Sequence, residues 1–305
     1  TDFYDLKPNC FEKEKIVKSA KSYTVFTDKF GYRYSGKKRY ITNENLLVFL
    51  GDSFTYGAGL NYEQTFVSKI ENQKKNHQVI NLAIPSYSPT AYLYQLEKLV
   101  DNKLYPKKVV LVIDMTDVSD EAARWERINK NTKPNLIKNS FASESFSQVD
   151  KKYKNSWQEF KYNNLMGSKQ IANYLNTQLR LIRIKLNKKI NKDFTELGIT
   201  RMGDFTYIKF EDLEQKWWLP YGVEGGLQKI EKNVKKISNL TKQIHAEFYI
   251  VIYPWAVTLE YGQDIFNWER YGEKLCELSS CQKLINLFPD FYDYKNKYKN
   301  WSTDL

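Results

Sequence analysis

One stretch of this chain constrains its fold more than any other: Leu46-Leu47-Val48-Phe49-Leu50, followed at once by Gly51-Asp52-Ser53-Phe54-Thr55-Tyr56-Gly57. Five apolar residues without a polar interruption read as a strand buried on both faces, the pattern of a parallel sheet covered by helices. Gly51 ends the run, and Ser53 stands just past the carboxyl end of the strand, where open α/β sheets place their ligand sites. Strand, tight turn, serine and helix share the logic of a nucleophile elbow. Taken alone, Ser53 is equally a helix N-cap.

The segments that follow keep an α/β rhythm. Phe66, Val67 and Ile70 recur at helical spacing within Glu63 to Gln73. Val79 to Leu82 reads as a second strand, Ala91 to Val100 as a helix, and Val109 to Ile113 as a third strand. Short links between them imply parallel strands with right-handed crossovers. The three turns after these strands then share one sheet edge, bringing Ser53, Ser86 and Thr116/Asp117 to the same side. The rhythm returns with a helix over Gly226 to Ile244, a strand over Glu247 to Tyr253 ending in Pro254-Trp255, a helix over Asp264 to Leu278, and a fifth strand over Leu284 to Phe288. Residues 1–45 read as an extended lead-in with one short hairpin near Val25 to Tyr34. Residues from about 122 to 222 read as a mostly helical insertion, with a basic amphipathic segment from Trp157 to Ile190 and a Trp217-Trp218-Leu219-Pro220 close. The expectation is a single domain over 1–305.

The net charge of +11 admits an anionic partner. The lysines are scattered, however, and no nucleic-acid motif is present, so nucleic acid is not expected as a partner. No apolar run approaches the ~18 residues of a membrane span. The chain begins at Thr1 without an initiator Met, which leaves open a removed signal peptide, a lost N-terminal anchor or a membrane-anchored partner. Cys276 and Cys281 are close enough in sequence to be joined, which would suit an exported protein, and two free thiols are the alternative. No Cys/His pattern has metal spacing, and neither a metal nor an organic cofactor is expected.

Gly51-Asp52-Ser53-Phe54-Thr55, with Asn81-Leu82-Ala83-Ile84-Pro85-Ser86 and Met115-Thr116-Asp117 after the next two strands, resembles the blocks of the SGNH (GDSL) hydrolase family. Leu6-Lys7-Pro8-Asn9 and Thr27-Asp28-Lys29-Phe30-Gly31-Tyr32-Arg33 resemble the lead-in of bacterial, envelope-associated members. The resemblance implies a three-layer α/β/α, flavodoxin-like fold with a five-stranded parallel sheet. It also implies a serine nucleophile, Ser53, and an oxyanion hole from the Ser53 and Ser86 N–H groups with Thr116, where the family has Gly and Asn at the last two positions. Asp117, Asp120 and Trp255 are pocket candidates, and the two aspartates serve equally as helix caps. The implied activity is that of a serine esterase, an O-acyl (acetyl) hydrolase or transferase, acting on an acylated carbohydrate or small ester in the bacterial periplasm or envelope. The alternative is a non-catalytic carbohydrate-binding or assembly module with the same fold.

The family's Asp-x-x-His is not found. His77 and His245 both precede strands and are expected at the amino edge, opposite Ser53. The catalytic Asp/His pair is therefore expected C-terminal to Leu305. Without that segment, one face of the sheet is expected to lack its last helix.

Overall fold

The computed structural model describes residues 3–15, 21–37, 39–74, 76–121, 134–138, 222–255, 258–259 and 266–297. The chain divides into two compact units, 1–140 with 195–305, and 141–194. The second unit lies outside the described residues, as do Trp217 and Trp218, and within the expected mostly helical insertion the described residues 134–138 carry a short strand, Asn135–Ile137.

The described residues form ten strands and seven α-helices. They are β1 (Tyr4–Leu6), β2 (Phe11–Glu14), β3 (Tyr23–Thr27), β4 (Arg33–Tyr34), β5 (Leu46–Leu50), α1 (Ser53–Tyr56), α2 (Phe66–Gln73), β6 (Gln78–Asn81), α3 (Pro89–Asp101), β7 (Lys108–Ile113), α4 (Thr116–Ser119), β8 (Asn135–Ile137), α5 (Gly222–Gln243), β9 (Glu247–Ile252), α6 (Trp268–Ser279), β10 (Lys283–Asn286) and α7 (Phe288–Lys297). The main sheet has the order β10-β9-β7-β5-β6-β4-β3-β2, and β1 pairs with β8 in a separate two-stranded ribbon. Contacts from β10 through β6 are parallel, whereas β6–β4, β4–β3 and β3–β2 are antiparallel.

This corrects the expected five-stranded parallel sheet: the sheet is mixed and has eight strands. The difference lies in the lead-in. Burial alternates along β3, with Tyr23, Val25 and Thr27 inside. That period of two is the mark of a half-buried antiparallel strand, weak in sequence because Thr interrupts the apolar positions. Arg33 of β4 then pairs with Asn81 of β6, so the lead-in extends the sheet instead of lying across it.

Residues alternate between two covered faces. Leu47, Phe49, Val79, Val110, Val112 and Val251 form one core with Phe66, Val67 and Ile70 of α2 and with Phe291 of α7. On the other face Leu46, Val48, Leu50, Ile80, Leu111, Ile113, Ile250 and Ile252 are buried. There α6 comes so close that a Cβ on Gly272 would sit 2.7 Å from Ile252. Helix α5 packs on α3, α6 and β9 at the same time. The expectation of a face without its last helix is also corrected. α7 follows β10 directly, with Pro289 in its first turn, where proline starts helices well, and Phe291 covers the α2 face.

A disulfide joins Cys276 to Cys281 across the C-terminus of α6, whose cap residue Ser280 has φ +52°. No helix among the described residues is long and apolar enough to cross a membrane.

Candidate active site

In chain order the five parallel strands are β5, β6, β7, β9 and β10, and their spatial order is second, first, third, fourth, fifth. This is the flavodoxin-like order. The chain leaves β5 toward β6 on one side and returns to β7 on the other, so a crevice opens outside the carboxyl ends of β5 and β7. Ser53 follows β5 and Thr116 follows β7. Topology alone brings these two loops together.

The turn carrying Ser53 is built from local rules. The Asp52 carboxylate caps α1 by accepting the Phe54 N–H at 2.9 Å. The helix ends after one turn at Gly57, whose φ of +82° suits a residue without a Cβ. A Cβ at Gly51 would collide with the Thr55 side chain. From β4, on the far side of β6, the wholly buried Arg33 donates to the carbonyls of Tyr56 (2.6 Å), Gly57 (2.9 Å) and Leu60 (2.5 Å). A cation there complements the negative end of the short helix. Asn81, last in β6, donates to the Thr55 carbonyl at 2.9 Å. The serine turn is thus held from two strands.

Three buried carboxyl groups converge beneath it: Asp52, Asp114 and Asp117. Ser53 Oγ, half-buried, donates to Asp52 Oδ2 at 3.3 Å. The Thr116 hydroxyl lies 3.3 Å from the same oxygen but 2.6 Å from Asp114 Oδ1. A hydroxyl has one proton, and the shorter contact takes it. Asp114 also accepts the Thr116 N–H (2.6 Å), the Trp255 indole N–H (2.9 Å) and the Tyr253 hydroxyl. Asp117 accepts the Asp114 N–H at 2.9 Å and the Tyr92 hydroxyl at 2.8 Å. Burial, with Asp114 beside it, pushes Asp52 up to about 8. The same two causes raise Asp117 well above the carboxylate range. Both shifts run in the direction that favours the neutral carboxyl.

The sequence-derived residues fall into four groups. Ser53, Thr116, Asp117 and Trp255 are connected through the Asp52–Asp114 network. Ser86 lies on the turn after β6 with φ +62°, braced by the Tyr4 hydroxyl on the Pro85 carbonyl at 2.5 Å. Asp120 ends α4, close enough to contribute to the raised Asp52 pKa. His77 and His245 precede β6 and β9, at the opposite edge from Ser53, as expected. Sequence reasoning missed Asp114 and Tyr253 as site residues. The signal was there for Asp114, the first polar residue after the β7 run, in the position relative to its strand that marks the Ser53 turn after β5. Tyr253 read as the last apolar residue of its strand. Among the described residues, no cluster of His, Cys, Asp and Glu has the arrangement of a metal site.

The fold and site define an α/β protein with a serine at the switch point of a flavodoxin-like sheet. No family model matches the chain, and no curated protein does. Among solved structures it is similar to TesA, at 10% identity over 84% of this chain and 83% of that one, with a TM-score of 0.38. It is also similar to AlinE4, an SGNH-hydrolase family esterase, at 10% identity over 86% of each chain, with a TM-score of 0.39. Likeness at this level carries no conclusion about activity, which must come from the site's own residues.

Proposed function

We propose that this protein is a serine esterase of the SGNH type, an O-acyl hydrolase or transferase that works through an acyl-Ser53 intermediate. The observation that carries the reading is the position of Ser53: a half-buried hydroxyl in the first residue of α1, at the switch-point crevice, on a turn fixed by Arg33, Asn81 and Asp52. A nucleophile needs this rigid placement, because misalignment by an ångström is costly in rate.

Ser53 Oγ attacks the ester carbonyl as its proton passes to a general base, proposed to be a histidine supplied from outside the described residues, which then returns the proton to the departing alcohol. The tetrahedral oxyanion is held by the Ser53 and Ser86 N–H groups, preset donors of the kind such intermediates need. Thr116 joins them only by turning its proton from Asp114. Collapse expels the alcohol, and water or a carbohydrate hydroxyl then releases the acyl group. Asp52 touches Ser53 Oγ, and burial beside Asp114 raises its pKa above the ordinary carboxylate range. His77 and His245 are at the wrong edge. An acylated carbohydrate is the proposed substrate and the bacterial envelope the proposed location, which the Cys276–Cys281 disulfide supports.

The test is hydrolysis of p-nitrophenyl acetate by the full chain, with fluorophosphonate labelling read by mass spectrometry. Ser53→Ala is expected to lose at least ~10³-fold in rate, and the label is expected on Ser53. Turnover that survives Ser53→Ala overturns the reading. The commitment of the Thr116 proton to Asp114 favours a second reading, a binding module without turnover. Its signature is binding of acetylated oligosaccharide with neither hydrolysis nor labelling.

A further inference from the structure

Phe54 follows the proposed nucleophile directly and is 42% exposed, although Asp52, Thr55 and Tyr56 around it are buried. One face of its ring is stacked on Tyr253, with centroids 4.1 Å apart and planes inclined by 19°. Phe66 lies 5.9 Å away on another side and is itself edge-on to Phe49 at 5.7 Å. With Tyr253 stacked on one face and Phe66 nearby, the ring still leaves a large share of its surface to solvent.

The ring on which Phe54 stacks is itself held in place. Tyr253 is 5% exposed, and its hydroxyl donates to Asp114. The Phe54 backbone is held by its own N–H on Asp52. Trp255, two residues beyond Tyr253, is fixed by its indole N–H on the same Asp114 carboxylate. A single exposed aromatic is ordinary on a protein surface. A flat one backed by a second ring, locked by the site's own carboxylate and adjacent to Ser53, is a preorganised stacking surface. It has no polar handle, so it selects a flat C–H or π face, not a charge or a hydrogen-bonding group.

We propose that Phe54 is the specificity-determining platform of the site, stacking on a six-membered ring joined directly to the ester oxygen. This inference rests on the serine esterase reading and names its substrate class: ring-bearing esters, acylated pyranoses among them, ahead of esters of open-chain alcohols.

The experiment compares phenyl acetate, an O-acetylated methyl glucoside and ethyl acetate as substrates for the full chain and its Phe54→Ala, Phe54→Leu and Phe54→Trp variants. In the native chain, KM for at least one ring ester is expected to lie below that for ethyl acetate. Which ring is preferred tells an aryl from a sugar ligand. Phe54→Ala and Phe54→Leu are expected to shrink that KM ratio about 5- to 10-fold, the worth of one aromatic contact. Phe54→Trp is expected to keep it. Phe54→Leu retains apolar bulk without a flat face, so a ratio equal to the native one in that variant overturns the proposal, as does a native chain with no ring preference. Saturation-transfer NMR of phenyl acetate with the Ser53→Ala variant reads ring contact without turnover. Ring contact that disappears with the added Phe54→Ala supports the platform even where Ser53 fails as nucleophile. A labelled Ser53 with no ring contact sinks the platform and leaves the esterase reading standing.

Discussion

The two edges of the parallel sheet carry similar polar residues under opposite conditions. At the carboxyl edge, Asp52, Asp114, Asp117 and Thr116 are almost wholly buried, and they satisfy one another and their tyrosine and tryptophan neighbours. At the amino edge, His245 is exposed and His77 half-buried. There Lys108 meets Glu247 at 3.2 Å, with side chains 38% and 46% exposed. Water supplies the partners at the amino edge, so each group there is nearly independent of the next. Where water is excluded, a polar group must be paired inside the protein or pay its full desolvation penalty. The comparison therefore separates side chains whose removal leaves others stranded from side chains whose removal is met by solvent.

The largest effect is expected at Asp114. Asp114→Ala removes the acceptor that holds the buried Tyr253 hydroxyl, the Trp255 indole N–H and the shorter of the two Thr116 hydroxyl contacts. Stability to urea is expected to fall by about 3 kcal/mol or more, since each orphaned buried group costs roughly 1–3 kcal/mol. Asp114→Asn, which keeps the shape and one acceptor oxygen, is expected to lose less. If Asp114→Ala unfolds within 1 kcal/mol of the native chain, the carboxyl edge is wetter than its geometry indicates, and the contrast between the edges collapses.

A second test uses the sign of a pH dependence. Unfolded Asp52 loses its proton near its ordinary 3.8, while the folded chain retains it to about 8. Between those values the native state holds more protons than the unfolded one, so stability falls as pH rises. The slope for one proton is about 1.4 kcal/mol per pH unit. Asp117, raised for the same reasons, pulls in the same direction. Asp52→Asn removes one of these contributions. Urea midpoints taken from pH 5 to pH 8 are expected to show the variant gaining on the native chain with each step upward. Curves that stay parallel remove Asp52 from the set of dry carboxyl groups.

Much of this arrangement was legible in the sequence. The apolar runs of β5, β7 and β9 are unbroken, and a strand buried on both faces leaves that mark. Ser53 and Thr116 could be placed at one edge because short links force parallel strands. The two histidines could be assigned to the other edge by the same reasoning. What was not legible depended on contacts distant in sequence. Arg33 in the lead-in holds the serine turn through three carbonyls more than twenty residues away, and nothing local marks it as buried. Strand β4 has two residues, too few for a period to register. The helix that opens with Phe288-Pro289 directly after β10 carried no mark in the apolar pattern of the fifth strand. Tyr253 continued a strand pattern, and only the fold shows that its hydroxyl reaches Asp114.

The smallest effect is expected at the amino edge, and its sign is the sharpest part of the comparison. The Glu247 carboxyl is held below its ordinary value, first by the Tyr249 hydroxyl and then by Lys108. A lowered carboxyl contributes stability above its unfolded pKa and loses it as pH falls, the reverse of Asp52. Both partners are largely hydrated, so the contribution is a few tenths of a kcal/mol at most, and salt screens it further. Glu247→Gln and Lys108→Ala are each expected to shift the urea midpoint barely beyond error at neutral pH. The double variant is expected to add little to either single change. Raising sodium chloride from 0.05 to about 0.5 M should erase the difference between Glu247→Gln and the native chain while leaving the Asp52→Asn difference in place, because a Debye length of a few ångströms screens exposed charges and not buried ones. A Glu247 effect that survives salt, or one with the same pH sign as Asp52, would mean that the two edges differ in composition and not in access to water.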